Sequence, residues 1–323
     1  MRALQIATFG DPAEVVELVE IPEPDAPRAS EVLVALEYAP INPSALLLIR
    51  GIYGVRPALP TGVGNEGVGR ILAVGDEVNH LHVGDRVLIP LTRPSWRERM
   101  VLPSAELFPL PSGTDPQQLA MLHINPPTAA LLLSEYVDLK PGDWVIQDAG
   151  NSGVGRSVIA FARDRGLHIA SLVRRQEVVD DVLAAGSDVV LVDGPELPAR
   201  VAAATGHATI PLALDGVGGE AMMSLSGCLS RGGTLVFYAF MSEKPGVANP
   251  ADIIFRQVTT RGFWLETPEV RTSPKIQAAI QTGARLITEG KLHVPVAATY
   301  SLDAAKEALT HAERGGKVLF KCS

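Results

Sequence analysis

The sequence predicts an α/β protein of two domains, an antiparallel β-barrel or sandwich followed by a doubly wound parallel sheet. Its 323 residues are too many for one average domain and fit two. Up to about residue 120, Pro and Gly interrupt short apolar runs at close spacing, which is typical of antiparallel sheets. From about residue 121, strand-like and helix-like runs alternate, which indicates a parallel sheet with helices on both faces.

The predicted elements follow in order along the chain. The strand-like runs of the first part are "EVLVALEYAPINP", "VGRILAVGDEV", "GDRVLIPL" and "ERMVLP". Gly75-Asp76 and Gly84-Asp85 stand where tight turns are expected. The second part alternates helical runs with the apolar strands "DWVIQDA" (143–149), "LHIASLV" (167–173), "DVVLVD", "IPLALDGV" and "GGTLVFYAF". The last third predicts a strand over 261–265, helices over 274–290 and 302–315, and a closing strand over 317–321.

The composition excludes several classes of protein. With 46% apolar and 20% charged residues, 30 Gly and 25 Pro, the chain is an ordinary globular one. A net charge of −8 argues against a nucleic-acid binder, and two cysteines exclude both a disulfide scaffold and a zinc site built mainly from Cys. The opening "MRALQIATFG" is typical of a strand and its turn, and the charge-free stretch 116–134 carries too many polar residues and prolines to span a membrane. We therefore expect a cytoplasmic protein with reduced thiols and no membrane span.

The sharpest local motif is the glycine turn "DAGNSGVGRS" at 148–157, between a predicted strand and a predicted helix. Gly153 and Gly155 would let the backbone approach a pyrophosphate, which the free N–H groups of the helix N-terminus then hold. The pattern departs from a strict G-x-G-x-x-G. Tight strand-to-helix turns need glycine in any case, so a purely structural turn is the alternative interpretation.

The end of the next strand indicates the cofactor. Arg174 and Arg175 stand where an acidic residue would bind the ribose 2′-hydroxyl of NAD, and arginine matches the 2′-phosphate of NADP instead. This favours NADPH, and the alternative is a solvated surface pair. The chain contains no G-x-x-x-x-G-K-[ST] and no G-x-S-x-G, which disfavours a P-loop NTPase and an α/β-hydrolase.

Several segments together resemble the medium-chain dehydrogenase/reductase superfamily. They are "INPSALLLIRGIYG", "LPTGVGNEGVGRILAVGDEV", "GDRV" and "NSGVG". Zinc-dependent members have an early Cys and a Gly-His-Glu segment, whereas the corresponding stretches here are "INPS" (41–44) and "GNE" (64–66). Neither supplies a zinc ligand, so the resemblance implies a zinc-free branch and no metal site.

Within that branch the chain is most similar to the mitochondrial-type 2-enoyl thioester reductases. The segments that carry this likeness are "NPSALLLIRGIYGVRPALP", "GNEGVG", "INPPTAA", "VIQDAGNSGVG", "LALDGVGG", "RGGTLVFYAFM" and "RGFWL". The resemblance implies a GroES-like β-barrel catalytic domain over 1–120 and 291–323, and a Rossmann NADPH-binding domain over 121–290. It also implies a homodimer formed through the nucleotide domains. Zinc-free quinone oxidoreductases are near neighbours with the same fold.

The same resemblance assigns residue roles, which we take as expectations. The catalytic tyrosine is Tyr53. The expected cofactor-binding residues are Asn125, Asn151, Ser152, Gly153, Val154, Arg174, Arg175, Gln176, Tyr238, Ala239, Phe240, Met241, Phe263, Trp264, Leu265 and Lys317. The chain departs from the family where Gln176 replaces a frequent Arg and where Ala239-Phe240 replaces a frequent Gly-Gly, which affects cofactor discrimination and pocket shape.

The expected reaction is NADPH-dependent reduction of the C2=C3 double bond of 2-enoyl thioesters, carried by coenzyme A or by acyl-carrier protein. A phenol at Tyr53 could donate to the developing enolate oxygen, and the alternative is an aromatic side chain that only packs. Phe240, Phe263, Trp264 and Leu265 could line an acyl slot. The alternative is that all four are core residues, which we favour for Leu265. Arginines that could meet a carrier are Arg50, Arg56, Arg93, Arg97 and Arg99. The alternatives are a quinone or enone reductase on the same fold and a non-catalytic NADPH-binding protein.

Overall fold

The computed structural model describes all 323 residues. They form two compact units: a first unit of Met1–Ile124 with Val294–Ser323, and a second unit of Asn125–His293. None of the helices combines the length and the hydropathy that crossing a membrane requires.

The strands are β1 (Arg2–Ile6), β2 (Val16–Glu20), β3 (Glu31–Ile41), β4 (Thr61–Gly62), β5 (Val68–Val74), β6 (Arg86–Leu88), β7 (Arg99–Pro103), β8 (Trp144–Gln147), β9 (His168–Val173), β10 (Val189–Val192), β11 (Leu212–Asp215), β12 (Thr234–Phe237), β13 (Thr259–Gly262), β14 (Val296–Ser301) and β15 (Lys317–Lys321). The α-helices are α1 (Pro12–Val15), α2 (Pro43–Arg50), α3 (Pro116–Leu119), α4 (Asn125–Ser134), α5 (Gly153–Asp164), α6 (Val179–Ala184), α7 (Leu197–Ala204), α8 (Glu220–Gly227), α9 (Pro250–Phe255), α10 (Pro268–Arg271), α11 (Pro274–Thr288) and α12 (Ala305–Arg314).

The first unit is built on the long strand β3. Residues 31–36 of this strand alternate between partly exposed and buried because successive side chains of a strand point to opposite faces, and residues 39–41 are all buried. The strand order β14-β15-β3-β5-β6, with β7 also on β3, is antiparallel except at β14–β15, and a second sheet has the order β2-β1-β4. The closing strand β15 thus returns from the C-terminus to pair with β3. Trp96 and Phe320 pack edge to face in the core at 5.0 Å between ring centroids.

The second unit is a six-stranded parallel sheet with the order β10-β9-β8-β11-β12-β13. This is the doubly wound order, in which the chain moves outward from β8 in one direction and then from β11 in the other. The inner strands β8, β9, β11 and β12 are mostly apolar and mostly buried, as the sequence predicts for a sheet covered on both faces. Ligands of such sheets bind beyond the carboxyl ends of the strands at the switch point, which lies here between β8 and β11.

One predicted strand is placed differently. The strand expected over 261–265 is β13, which covers Thr259–Gly262 and is exposed along its length because it lies at the edge of the sheet. Phe263 and Leu265 follow the strand and are buried there. The apolar run therefore reflects the burial of residues that follow the strand. An apolar run by itself does not distinguish a strand from a buried loop.

Candidate functional site

The glycine turn follows β8 and opens helix α5. Ser152 caps the helix, since its Oγ accepts the N–H of Gly155 at 3.0 Å. A helix leaves the N–H groups of its first turn without partners inside the helix, and its dipole adds positive potential at that end. Ser152 accepts one of these N–H groups. The other N–H groups and the dipole allow the N-terminal end of α5 to hold a negatively charged group.

Two glycines of this turn are required by close approach. A Cβ on Gly155 would lie 2.5 Å from the carbonyl oxygen of Ala149, and a Cβ on Gly153 would lie 2.6 Å from Nδ2 of Asn125. Asn125 is buried, and its Nδ2 has no hydrogen-bond partner. An unpaired buried donor is costly. Asn125, Gly153 and the end of α5 therefore form a cradle with a donor to spare, which fits the phosphate or amide oxygens of a dinucleotide.

Arg174, Arg175 and Gln176 follow the carboxyl end of β9 and are all exposed. Nε of Arg175 lies 3.5 Å from Oε1 of Glu177, and an ion pair this exposed contributes little free energy. Both guanidinium groups are therefore accessible to an anion in solution, as recognition of a 2′-phosphate requires.

The segment after β12 is hydrogen-bonded to the end of β11 and to the loop that follows it. The N–H of Tyr238 donates to the carbonyl of Asp215 at 2.9 Å, and the N–H of Met241 donates to the carbonyl of Gly216 at 3.2 Å. Phe240 and Met241 are exposed, and Ala239 is half-buried. Of the expected acyl-slot residues, Phe263 is buried, as is Leu265, while Trp264 is half-buried.

The sequence reasoning missed a pair of acidic residues in this region. Asp148 directly follows β8 and Asp215 ends β11, and both are buried. Oδ1 of Asp148 accepts the N–H of Gly216 at 2.8 Å. Burial and the neighbouring Asp215 raise the pKa of Asp148 well above its ordinary value. The available signal was an Asp at the carboxyl end of two apolar strands, in "IQDAG" and "LALDGV".

Arg156 was also missed. It lies in the first turns of α5, is buried, and forms an ion pair with Asp181 of α6. Its Nε has no hydrogen-bond partner. The signal was a cation inside the glycine turn itself.

Tyr53 belongs to the first unit and lies in the loop that follows α2. Gly51 ends the helix with a φ of 74°, and its N–H donates to the carbonyls of Leu47 and Leu48. A Cβ on Gly51 would lie 2.9 Å from the ring of Phe9, and the guanidinium of Arg56 lies 4.6 Å from the centroid of that ring. Phe9 therefore holds the loop on both sides of Tyr53, which is itself half-buried.

Lys317 belongs to the first unit as well, in a buried polar network. Its Nζ donates to Oδ1 of Asn42 at 2.7 Å, and Nδ2 of Asn42 donates to Oε1 of Glu66 at 2.7 Å. Oε2 of Glu66 accepts the N–H of Ile124 at 3.0 Å. Burial raises the pKa of Glu66 to about 7 against the attraction of Lys317, and burial lowers the pKa of Lys317. The other expected cofactor residues are all in the second unit.

The positions of zinc ligands in zinc-dependent relatives are occupied by hydrogen-bonded polar side chains. Nδ2 of Asn65 donates to Oγ of Ser44 at 2.8 Å, beside the Asn42–Glu66 hydrogen bond. No group of three or more His, Cys, Asp and Glu residues is arranged to hold a metal ion. The absence of zinc from the protein stays a prediction.

Two family models match the chain. Residues 28–112 match the alcohol dehydrogenase GroES-like domain, and residues 153–285 match the zinc-binding dehydrogenase model. Among curated proteins, the human mitochondrial enoyl-[acyl-carrier-protein] reductase is 39% identical over 96% of this chain and 84% of its own length. The Arabidopsis thaliana enzyme of that name is 34% identical over 82% of this chain and 72% of its own length.

Solved structures share the fold over almost the whole chain. The Candida tropicalis mitochondrial 2-enoyl thioester reductase heterodimer Etr1p/Etr2p matches with a TM-score of 0.88 at 24% identity, covering 99% of both chains. A complex of Etr1p with NADP and crotonyl-CoA gives 0.89 at 24% identity, again covering 99% of both chains. The Pseudomonas syringae pv. Tomato DC3000 quinone oxidoreductase gives 0.84 at 26% identity over 99% of both chains.

These relatives contradict one expectation. The cytoplasmic location predicted from the composition, the cysteine count and the opening residues is wrong, because the matched enoyl reductases are named mitochondrial and point to mitochondria. Bulk composition separates classes of protein but does not encode a compartment, since folded enzymes of different aqueous compartments need similar cores and surfaces.

Proposed function

Because this chain belongs to the mitochondrial-type enoyl-[acyl-carrier-protein] reductases, a zinc-free branch of the medium-chain dehydrogenases/reductases, we propose that it reduces the C2=C3 double bond of 2-enoyl thioesters with NADPH. It is thus an oxidoreductase acting on CH–CH groups. The observation that carries the proposal is the likeness to named enoyl reductases along nearly the entire chain. We assign the NADPH-binding role to 121–290 and the catalytic role to 1–120 with 291–323.

The cradle after β8 fits a dinucleotide, because it combines a capped helix end, two sterically required glycines and an unpaired buried amide. We assign the pyrophosphate to Asn151, Ser152, Gly153 and Val154, with Asn125 as a further donor. Arg174, Arg175 and Gln176 would hold the 2′-phosphate. The remaining proposed cofactor contacts are Tyr238, Ala239, Phe240, Met241, Phe263, Trp264, Leu265 and Lys317. When bound, NADPH supplies a hydride to the β-carbon of the substrate.

Tyr53 provides the acid chemistry in this proposal. Reduction at the β-carbon places negative charge on the thioester oxygen, and the α-carbon must then gain a proton. A tyrosine hydroxyl is a donor at neutral pH, so Tyr53 can donate a hydrogen bond to that oxygen or a proton to the carbon. The loop held by Gly51 and Phe9 fixes the backbone on either side of Tyr53, as an oriented donor requires.

The carrier is coenzyme A or acyl-carrier protein, both of which bear phosphate. Three of the five candidate arginines already have partners: Arg50 pairs with Glu313, Arg99 pairs with Glu23, and Arg56 lies over Phe9. Together with Arg99, which is paired with Glu23, Arg93 and Arg97 line a cavity of about 310 Å³ within the first unit. Of the five, these two are the ones we propose to meet an anionic carrier. A role in fatty acid metabolism follows from such a substrate.

We also propose a homodimer through the second unit. The edge strand β13 is exposed, and unpaired edge strands readily pair with a second chain. The preceding helix α9 exposes Ile253, Ile254 and Phe255, of which Phe255 is 73% exposed. A second copy that pairs along β13 would cover this apolar surface.

A substrate panel tests the proposed reaction. Oxidation of NADPH is measured with crotonyl-CoA, with a longer 2-enoyl-CoA and with a quinone, each with and without a chelator. We expect both enoyl thioesters to be reduced, and the chelator to have no effect. Turnover of the quinone alone would favour the quinone reductase alternative, and loss of activity on chelation would overturn the zinc-free assignment.

A further inference from the structure

Asp148 and Asp215 lie side by side at the switch point of the parallel sheet. Strands β8 and β11 pair with Gln147 opposite Leu214, so Asp148 and Asp215 occupy the next register position. The N–H of Asp148 also donates to the carbonyl of Leu214 at 3.1 Å. Both carboxyl groups are buried, and Oδ2 of each has no hydrogen-bond partner.

Two buried carboxylates at neighbouring positions of paired strands cannot both be charged without a large electrostatic cost. One proton placed between the two Oδ2 atoms would satisfy both at once, as a donor on one side and an acceptor on the other. The negative charge belongs on Asp215, because its Oδ1 accepts two N–H groups, of Val217 and Gly218, both at 2.8 Å. Asp148 accepts only one and therefore carries the proton.

The pair is connected to the segment after β12. Asp148 holds the N–H of Gly216, and the carbonyl of Gly216 accepts the N–H of Met241. The carbonyl of Val217 accepts the N–H of Ser242 at 3.0 Å.

The hydroxyl of Tyr238 lies 2.6 Å from the position of a Cβ on Gly216, so the loop and the segment are closely packed. Displacement of Gly216 would therefore move the segment 238–242.

We propose that Asp148 and Asp215 share one proton, and that the protonated pair positions the segment 238–242 for binding NADPH. Ionisation of the pair would push the ends of β8 and β11 apart and weaken cofactor binding. This inference rests on the proposed function, which assigns Tyr238–Met241 to the cofactor. Asp148 and Asp215 are positioning residues, since they act through the Gly216–Gly218 loop.

The surroundings offer the pair no compensating positive charge. The charged groups that act on Asp148 are Asp215 and Asp193, both acidic. Tyr238 faces both carboxyl groups, and burial together with these acids raises the pKa of its hydroxyl, so it stays neutral. Since the pKa of Asp148 is raised in the folded state, the folded protein holds a proton that the unfolded chain releases. Stability is therefore lost as pH rises through the folded pKa.

The test compares Asp148→Asn with the wild type. The amide of the variant can donate to Asp215 at every pH and can still accept the N–H of Gly216. The dissociation constant of NADPH is measured by fluorescence between about pH 7 and about pH 9.5, where the 2′-phosphate, with a second pKa of about 6, is mostly in its doubly ionised form. For the wild type we expect the constant to rise by up to about tenfold per pH unit once the pair ionises. For Asp148→Asn we expect a flat profile.

Asp193→Asn is the matched control, because it removes one acidic charge nearby and leaves the pair intact, so it keeps the alkaline loss. The thermal midpoint of unfolding, measured without cofactor, provides an independent readout. As pH rises, the midpoint of Asp148→Asn should increase relative to that of the wild type. If Asp148→Asn does not fold, Asp215→Asn serves the same purpose. Parallel profiles for variant and wild type in both measurements would overturn the shared proton. NADPH binding without enoyl reduction would overturn the proposed function but would not contradict the shared proton of Asp148 and Asp215.

Discussion

Tyr53 is the side chain on which the proposed chemistry depends most directly. Replacement by Phe keeps the ring and removes only the hydroxyl. Since this hydroxyl would act mainly in the transition state, Tyr53→Phe should lower kcat for an enoyl thioester, and loss of one such donor typically costs on the order of 10²–10³. NADPH affinity and thermal stability should stay close to wild type, because the ring still packs.

Steady-state kinetics of Tyr53→Phe on crotonyl-CoA and on a quinone provide the measurement. Quinone reduction needs no protonation of carbon and should decrease far less. A variant with full enoyl reductase activity would leave Tyr53 a packing residue and remove the main support for its catalytic role.

Arg174 is the residue we expect to distinguish the two nicotinamide cofactors. A hydrogen bond to a charged group is typically worth about 1.5–3 kcal/mol, so Arg174→Ala should weaken NADPH binding by that order. NADH lacks the 2′-phosphate, and its affinity should change little. Titration of both cofactors measures this, with Arg231→Ala, at another exposed arginine, as control. Equal losses for NADPH and NADH would mean that Arg174 does not contact the 2′-phosphate.

At the scale of elements, the Lys317–Asn42–Glu66 network connects β15, the residue before α2 and the chain that leads into α4. The pKa of Glu66, raised by burial to about 7, lies above its value of about 4.3 in an unfolded chain. The folded state therefore binds the proton more tightly. Wild-type stability should fall as pH rises from about 4 to about 7, by at most about 1.4 kcal/mol per pH unit.

Glu66→Gln removes this titration and should remove that pH dependence. Glutamine has an NH2 group in place of one of the two carboxyl oxygens that accept hydrogen bonds from Asn42 and Ile124, so the variant should be less stable than wild type by an offset. The difference from wild type should shrink as pH rises from about 4 to about 7. Denaturant unfolding at several pH values measures it, with Glu37→Gln at a partly exposed, arginine-paired carboxylate as control. A constant difference would mean that Glu66 is ionised throughout this range.

At the scale of the whole molecule, the exposed surface around β13 predicts self-association. Phe255→Asp places a charge on the most exposed large apolar side chain of α9. Central apolar residues of interfaces often contribute 2 kcal/mol or more, so the dimer dissociation constant should rise on the order of thirtyfold or more. Sedimentation velocity over a range of concentrations measures this, with Leu72→Asp in the first unit as control. A wild type that stays monomeric would contradict the proposed dimer.

Local sequence patterns determined where several strands of this protein lie and where helix α5 begins. Apolar runs of strand length predicted β8, β9, β11 and β12, and the glycine turn located the start of α5. Both are short-range signals, because a buried parallel strand must be apolar along its length and a tight turn must lack a Cβ. The closing strand over 317–321 was predicted with the bounds it has in the structure. The sequence also carried the motifs that identify the family.

Only the tertiary structure decided which distant side chains meet. Asp148 and Asp215 lie 67 positions apart, and Asn42 and Lys317 lie 275 apart, so no local pattern connects them. Their pKa shifts depend on burial and on neighbours from other elements, which a sequence does not order in space. In the same way, only the structure shows that Lys317, which the family likeness assigns to the cofactor, donates a hydrogen bond to Asn42 in the first unit. Polar groups in a core are placed by the long-range packing that encloses them, since only that packing decides which partner each one finds.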